Sequence, residues 1–458
     1  MTKRRSITAL AAALLLQALS FSSGFTPSTV VISSAAAASR TISTQKLHSQ
    51  QNPNDDNNNN NEGIELNRRS FTTASAAAAL SALLVTSSSV VPFLPVSPAA
   101  AYYEESSKAK QRILITGSNS GIGLDAAQRL ALKGHEVVLA CRTLAKANIA
   151  ADTIKTNIAN DSEDALEAIA TIKNIKLIPM ECDLADLKSI DKFVNDLKKT
   201  TTNGEDSFDA VCYNAGVARN TEATDVLRTA QGFELTIGVN HLGHFYLNNL
   251  LMPLINKDTG RIVVTASSVH DPDSPGGAQG KTATLGNLQG LEDAVATTSG
   301  TTGKFDMVDG GSFNADKAYK DSKLCNVLFT RELQRRLDES GSKVRVNSFT
   351  PGLIVGTGLF RDQNPVFTKL FDVAATNLLK VGETTHYGGG ALEYMTLSSK
   401  VGERKGGEYY FSPPGSSKYG DAAFGKQFDV SEVSKEALAA DSGKGKRFWE
   451  LSEKLVGI

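Results

Sequence analysis

The chain of 458 residues is 41% hydrophobic, 7% aromatic and 21% charged, the balance of a globular protein and not of a fibre or a disordered polymer. Its 48 Lys and Arg against 49 Asp and Glu leave a formal net charge of -1, so no charge excess draws the molecule to nucleic acid or anionic lipid. Cys141, Cys182, Cys212 and Cys325 form no C-x-x-C pair and have no histidine cluster nearby, which argues against a disulfide framework or a metal site and reads them as buried small hydrophobes.

Residues 1 to 54 hold no Asp or Glu, and Lys3, Arg4 and Arg5 precede an apolar run from Leu10 to Phe21. That run is too short for a stable span and has signal-peptide design. A Ser/Thr/Ala-rich stretch with isolated bases such as Arg40 and Lys46, closed by an Asn-rich linker from Asn52 to Asn61, has the composition of a transit peptide. Together they resemble the bipartite leader of nucleus-encoded plastid proteins in algae whose plastids carry extra membranes. Arg68-Arg69-Ser70-Phe71, with no further charge until Glu104 and with Ala99-Ala100-Ala101 near the end, resembles a twin-arginine signal. It implies the thylakoid lumen, with a membrane-associated stretch as the alternative. Residues 1 to 103 are thus expected to be a targeting presequence and residues 104 to 458 a single domain.

From Arg112 onward, short Val/Ile-rich runs alternate with segments of helical period. Strands are predicted at Ile113 to Thr116, Val137 to Ala140, Leu177 to Met180, Ala210 to Tyr213, Ile262 to Ala266, Val344 to Phe349 and Tyr409 to Phe411. About seven apolar strands separated by helices imply an α/β, Rossmann-type doubly wound parallel sheet with helices on both faces. Between His270 and Ala318 the rhythm breaks into a Gly/Thr/Asp-rich insertion, and so long a loop is more often functional than neutral.

The first strand runs into Thr116-Gly117-Ser118-Asn119-Ser120-Gly121-Ile122-Gly123 and then an amphipathic helix. Gly117, Gly121 and Gly123 suit a tight turn and close approach to a pyrophosphate held on the helix N-terminus. The second strand ends at Arg142, where an NAD-binding chain presents a carboxylate, and a guanidinium there can hold a 2'-phosphate. NADPH is therefore the expected cofactor. Asp183 could accept from the adenine amino group, and Asn214-Ala215-Gly216 would let the backbone approach the adenosine half.

Tyr319 and Lys323 lie four apart on one face of a predicted helix, with Ser268 at the end of the fifth strand and Asn240 on the helix before it. With the glycine turn, Asn214-Ala215-Gly216 and Pro351-Gly352, this set resembles the short-chain dehydrogenase/reductase family over residues 110 to 412. The resemblance implies that Tyr319 donates a proton, Lys323 lowers the phenol pKa and holds the nicotinamide ribose, Ser268 positions the acceptor and Asn240 supports a water relay. It adds Pro351, Gly352 and Thr357 to the cofactor contacts.

Within that family the resemblance is greatest to the light-dependent protochlorophyllide reductases. It is carried by Asn240-His241-Leu242-Gly243-His244-Phe245, Leu285-Gly286-Asn287-Leu288, Asp309-Gly310-Gly311, Lys317 to Asn326, Thr357 to Arg361 and Trp449 to Gly457. It implies NADPH-dependent, light-triggered reduction of a ring double bond in a plastid, with the insertion helping to enclose a flat tetrapyrrole. Leu353 stands where that branch usually carries a cysteine, and Thr265-Ala266-Ser267-Ser268-Val269-His270 looks more like retinol-dehydrogenase-type carbonyl reductases. The alternatives are an NADPH-dependent carbonyl/alcohol oxidoreductase acting on a lipophilic small molecule and a catalytically idle pigment- or nucleotide-binding module. Thylakoid membrane association and a homo-oligomer are compatible with the chain. The Gly388 to Met395 region flanks the expected substrate pocket, although its small residues are better suited to helix packing.

Overall fold

The computed structural model describes residues 109–200, 207–297, 304–354, 382–439 and 443–458. The targeting segments and Thr357 lie outside these residues.

Eight strands among the described residues form one sheet: β1 (Arg112–Thr116), β2 (Glu136–Cys141), β3 (Lys176–Glu181), β4 (Ala210–Tyr213), β5 (Arg261–Thr265), β6 (Arg345–Phe349), β7 (Tyr409–Phe411) and β8 (Asp429–Ser431). Their order is β3-β2-β1-β4-β5-β6-β7-β8. Pairing is parallel through β7, and β8 closes the edge antiparallel, with Tyr409 opposite Ser431. Strand order reverses between β1 and β4, so their carboxyl ends open a crevice at a topological switch point. Pro179 is tolerated in β3 because that strand lies at the edge.

Alternation along β1 sends Ile113 and Ile115 into one buried cluster and Leu114 into the other. The first cluster is covered by α1 (Gly121–Leu132) and α2 (Leu144–Asp161); α3 (Ala165–Asn174) follows on the surface. The second is covered by α4 (Leu187–Lys199), by α5 (Gly243–Leu251) and by helices further along the chain.

The insertion is not the structureless loop its composition predicts. It contains α6 (Gln289–Ala296), and Leu285, Leu288, Leu291, Phe305 and Val308 are buried in the second cluster. It leads into α7 (Ala315–Glu339), which carries Tyr319 and Lys323.

Helix α8 (Thr385–Leu397) covers the first cluster and packs against α1 through the expected small residues. A Cβ on Gly388 would lie 2.6 Å from Ile354 Cδ1, and one on Gly389 would lie 2.2 Å from Asp125 Oδ1. Arg129 of α1 pins the pair through Asp125 at 2.8 Å and Glu393 at 3.0 Å. The C-terminal helix α9 (Lys444–Val456) sets Trp449 edge-on against Phe245 and Phe448 on His241.

Candidate active site

Thr116 organises the crevice. Its hydroxyl accepts the amides of Asn214 at 2.9 Å and Ala215 at 3.0 Å, while its carbonyl accepts Asn214 Nδ2 at 3.0 Å. The glycine turn and the Asn214-Ala215-Gly216 turn are therefore tied together through Thr116. Gly117 has φ +68, and a Cβ there would come within 2.8 Å of Ala215 Cα. A Cβ on Gly123 would stand 2.6 Å from both Asn214 Nδ2 and the Gly117 carbonyl. Neither position admits a side chain.

Ser120 caps α1 without a side-chain bond to the helix amides, so no side chain of the cap occupies the helix N-terminus where a pyrophosphate would lie. Of the other predicted cofactor residues, Ile122 and Asn119 are half-buried, Arg142 is exposed directly after β2, and Ser118 is buried with its hydroxyl 3.5 Å from Cys141 Sγ. Asp183 takes the Ala185 amide at 3.0 Å on one oxygen. Gly352 has φ +84, and a Cβ there would collide with Glu383 Cγ at 2.4 Å, so that position admits only glycine. These features fit a dinucleotide.

Lys323 and Tyr319 stand at the other end of the crevice. Lys323 is buried, donates to the Thr265 carbonyl at 3.0 Å and lies 5.6 Å from the Tyr319 ring centre. Burial pulls its pKa from 10.5 down to about 8. A Cβ on Gly216 would lie 3.7 Å from the Lys323 ammonium, so the bare Gly216 backbone borders the Lys323 end of the crevice. Burial pushes the Tyr319 phenol up, and a hydrogen bond from Ser267 works against that.

The hydroxyl that bears on the Tyr319 phenol belongs to Ser267, the neighbour of the expected Ser268. The strand ends at Thr265 and Ser267 stays extended (φ -165, ψ 150). Neighbouring side chains on extended backbone point to opposite sides, so the side chains of Ser267 and Ser268 face different ways. Ser268 instead opens the turn Ser268–His270, and its carbonyl accepts Ser274 Oγ at 2.7 Å.

Asn240 lies in a π-helical turn, Gly238–Leu242, leading into α5. Its amide protons go to the Val217 carbonyl at 3.0 Å and Ser322 Oγ at 2.9 Å, and its Oδ1 takes the Val217 amide at 2.8 Å. The side chain is a clasp between the loop after β4 and α7. The Asn240 carbonyl receives His244 Nδ1 at 3.1 Å, and His244 Nε2 meets Thr116 Oγ1 at 2.9 Å. A carbonyl only accepts, so Nδ1 carries the proton and the Thr116 hydroxyl donates to Nε2. Sequence reasoning assigned His244 no role, since the link to Thr116 joins residues far apart in the chain.

Cys325 does not take the place of the cysteine missing at Leu353. It is fully buried in the second cluster, and burial beside Asp321 holds its thiol protonated. All four cysteines are free and buried, as expected. No described helix is long and apolar enough to cross a membrane.

The family model described as short chain dehydrogenase matches residues 154–279. Protochlorophyllide reductase A, chloroplastic, of Hordeum vulgare is 34% identical, with 79% of this chain and 85% of that protein aligned. The protochlorophyllide reductase of Avena sativa is 35% identical over 76% of this chain and 99% of its own length. Among solved structures, an uncharacterised protein from Mycobacterium paratuberculosis is 26% identical, with a TM-score of 0.50, covering 77% of this chain and 96% of that one.

Proposed function

The chain belongs to the short-chain dehydrogenase/reductase family, and we propose that within it this NADPH-dependent reductase reduces a ring double bond of protochlorophyllide in light. The observation that carries the chemistry is the grouping of Ser267, Tyr319 and Lys323 beside the bare Gly216 backbone. Similarity over most of the chain to plastid protochlorophyllide reductases supports the substrate and a plastid address.

NADPH, when bound, supplies the hydride. Arg142, exposed after β2, is the residue suited to its 2'-phosphate. The proton is the task of this chain. Tyr319 is the donor, and Ser267 orients its hydroxyl. Lys323 stabilises the phenolate left behind, because a cation within reach of the ring favours the charged form. Asn240, through Val217 and Ser322, holds the helix that carries both groups in register with the cofactor loops. A carbon-carbon double bond lacks a polarised oxygen, so excitation of the pigment must make the acceptor electrophilic. Leu353 offers no proton, which leaves Tyr319 as the donor on this side.

The second reading is reduction of a carbonyl on a lipophilic substrate. It is favoured by the Ser267 and Tyr319 hydroxyls, which together suit a carbonyl oxygen. Purified protein mixed with NADPH and protochlorophyllide, followed by its red absorption band in darkness and after a calibrated flash, separates the two. A flash-dependent red shift supports photoreduction. Absence of pigment binding with NADPH bound transfers the assignment to carbonyl reduction, tested on retinal-like aldehydes. Delivery to the thylakoid rests on the twin-arginine-like segment alone, and fractionation of isolated plastids tests it.

A further inference from the structure

His270 belongs to none of the groups assigned a chemical role above, yet it is 1% exposed and bonded at both ring nitrogens. The backbone N–H of Ser434 donates to Nε2 at 3.3 Å. An amide N–H can only donate, so Nε2 is the acceptor and Nδ1 holds the proton, which goes to the Ser267 carbonyl at 2.7 Å. That carbonyl also accepts the His270 amide at 3.2 Å, so both of its lone pairs are used and the Ser267 peptide cannot rotate freely. Tyr409 of β7 meets the imidazole edge-on at 4.9 Å and blocks its swing. On the far side, Ser434 caps the turn Lys435–Leu438, where Glu436 takes the Leu285 amide of the insertion at 2.9 Å.

We propose that His270 is a positioning residue: a neutral imidazole strut that fixes the Ser267 hydroxyl against Tyr319 and ties that geometry to the C-terminal segment at Ser434. It rests on the reading of Ser267 as the partner of the proton-donating phenol. Freed from the strut, the Ser267 peptide gains rotational freedom, and misplacement of a positioning group lowers the chemical step more than binding.

The test measures turnover, NADPH affinity and thermal stability of His270→Ala, His270→Asn, Ser434→Ala and Ser434→Pro in the full chain. His270→Ala is expected to lower kcat about tenfold with NADPH affinity unchanged. His270→Asn, whose amide can still donate to the Ser267 carbonyl, should recover most of it. Ser434 has φ -55, close to the value proline imposes, so Ser434→Pro deletes only the donor and the cap, while Ser434→Ala deletes the cap alone. Turnover is expected to fall further in the proline variant. If His270→Ala stays within about twofold of wild type, or if its loss merely tracks lost NADPH affinity and stability without rescue by Asn, the strut is refuted. Should the Ala variant not fold, the Ser434 pair decides: equal turnover refutes it. Ser267→Ala in the same assay isolates the underlying reading, since undiminished turnover there removes the role of Ser267 whatever His270 does. A wild type inert toward protochlorophyllide counts against that substrate alone, and the variants are then read on the aldehyde it reduces.

Discussion

Lys323 is expected to make the folded protein less stable than a chain lacking its charge, and to do so in a pH-dependent way. Burial lowers its pKa from 10.5 to about 8. Below pH 8 both folded and unfolded chains hold the proton, and the folded state bears the full penalty of the buried ammonium. A difference of about 2.5 units corresponds to roughly 3 kcal/mol at 1.36 kcal/mol per unit. Between about pH 8 and 10.5 the unfolded chain keeps the proton that the folded chain has released, so stability rises with pH by about 1.4 kcal/mol per unit. Lys323→Met removes the titration and keeps the side-chain volume. Urea unfolding of the cofactor-free protein at pH 7 and 9.5 is the assay. Lys323→Met should be the more stable at pH 7, its advantage reduced by the lost bond to the Thr265 carbonyl, and that advantage should shrink by about 2 kcal/mol at pH 9.5. A stability difference independent of pH would refute the reasoning, because it would mean that Lys323 keeps its ordinary lysine pKa in the folded chain.

Ser267→Ala should lower turnover by about ten- to a hundredfold, the equivalent of roughly 1.5–3 kcal/mol for a bond to a charged group, while Ser268→Ala leaves steady-state rates nearly unchanged; equal effects would restore the original placement. Arg142→Ala should raise the Kd for NADPH about tenfold and leave that for NADH unaltered, as read by fluorescence titration, and a parallel loss for both would remove the 2'-phosphate assignment. Gly389→Ala places a methyl group 2.2 Å from Asp125 Oδ1, so overpacking of α1 against α8 should cost about 1–3 kcal/mol in chemical unfolding. A neutral result there would mean that the two helices are not tightly packed.

The parts of this fold that can be read from sequence are those whose signal is local. The apolar runs of β1, β2, β4, β5 and β6 are buried on both faces, and burial on both faces requires such runs. Strand β8, Asp-Val-Ser, has no apolar run and pairs only because β7 offers an edge. Helix α6 was hidden because it begins after Leu288, a non-glycine residue at φ +64, inside a segment whose glycines and threonines read as loop. Its Leu291 and Ala294 are buried in the cluster that also takes Phe448 and Leu455 of the C-terminal helix, with Arg447 meeting Glu292 at 3.0 Å on the surface. The glycines of the cofactor turn and the four-residue spacing of Tyr319 and Lys323 were legible because sterics and helical period set them. Ser267 and Ser268 are adjacent, and which of them faces Tyr319 depends on the parity of the chain beyond the strand end, which no local pattern encodes. His244 and His270 act through partners more than a hundred residues away, Thr116 and Ser434, and no periodicity encodes such pairs.

Tyr319→Phe tests the central claim most directly. The variant is mixed with NADPH and protochlorophyllide in darkness, and the red absorption band is followed before and after a single calibrated flash. The account requires the pigment and cofactor to bind as in wild type, because the change removes one hydroxyl, and the product band not to form, because the proton donor is gone. Product formation at the wild-type yield would contradict it and move the proton to another group.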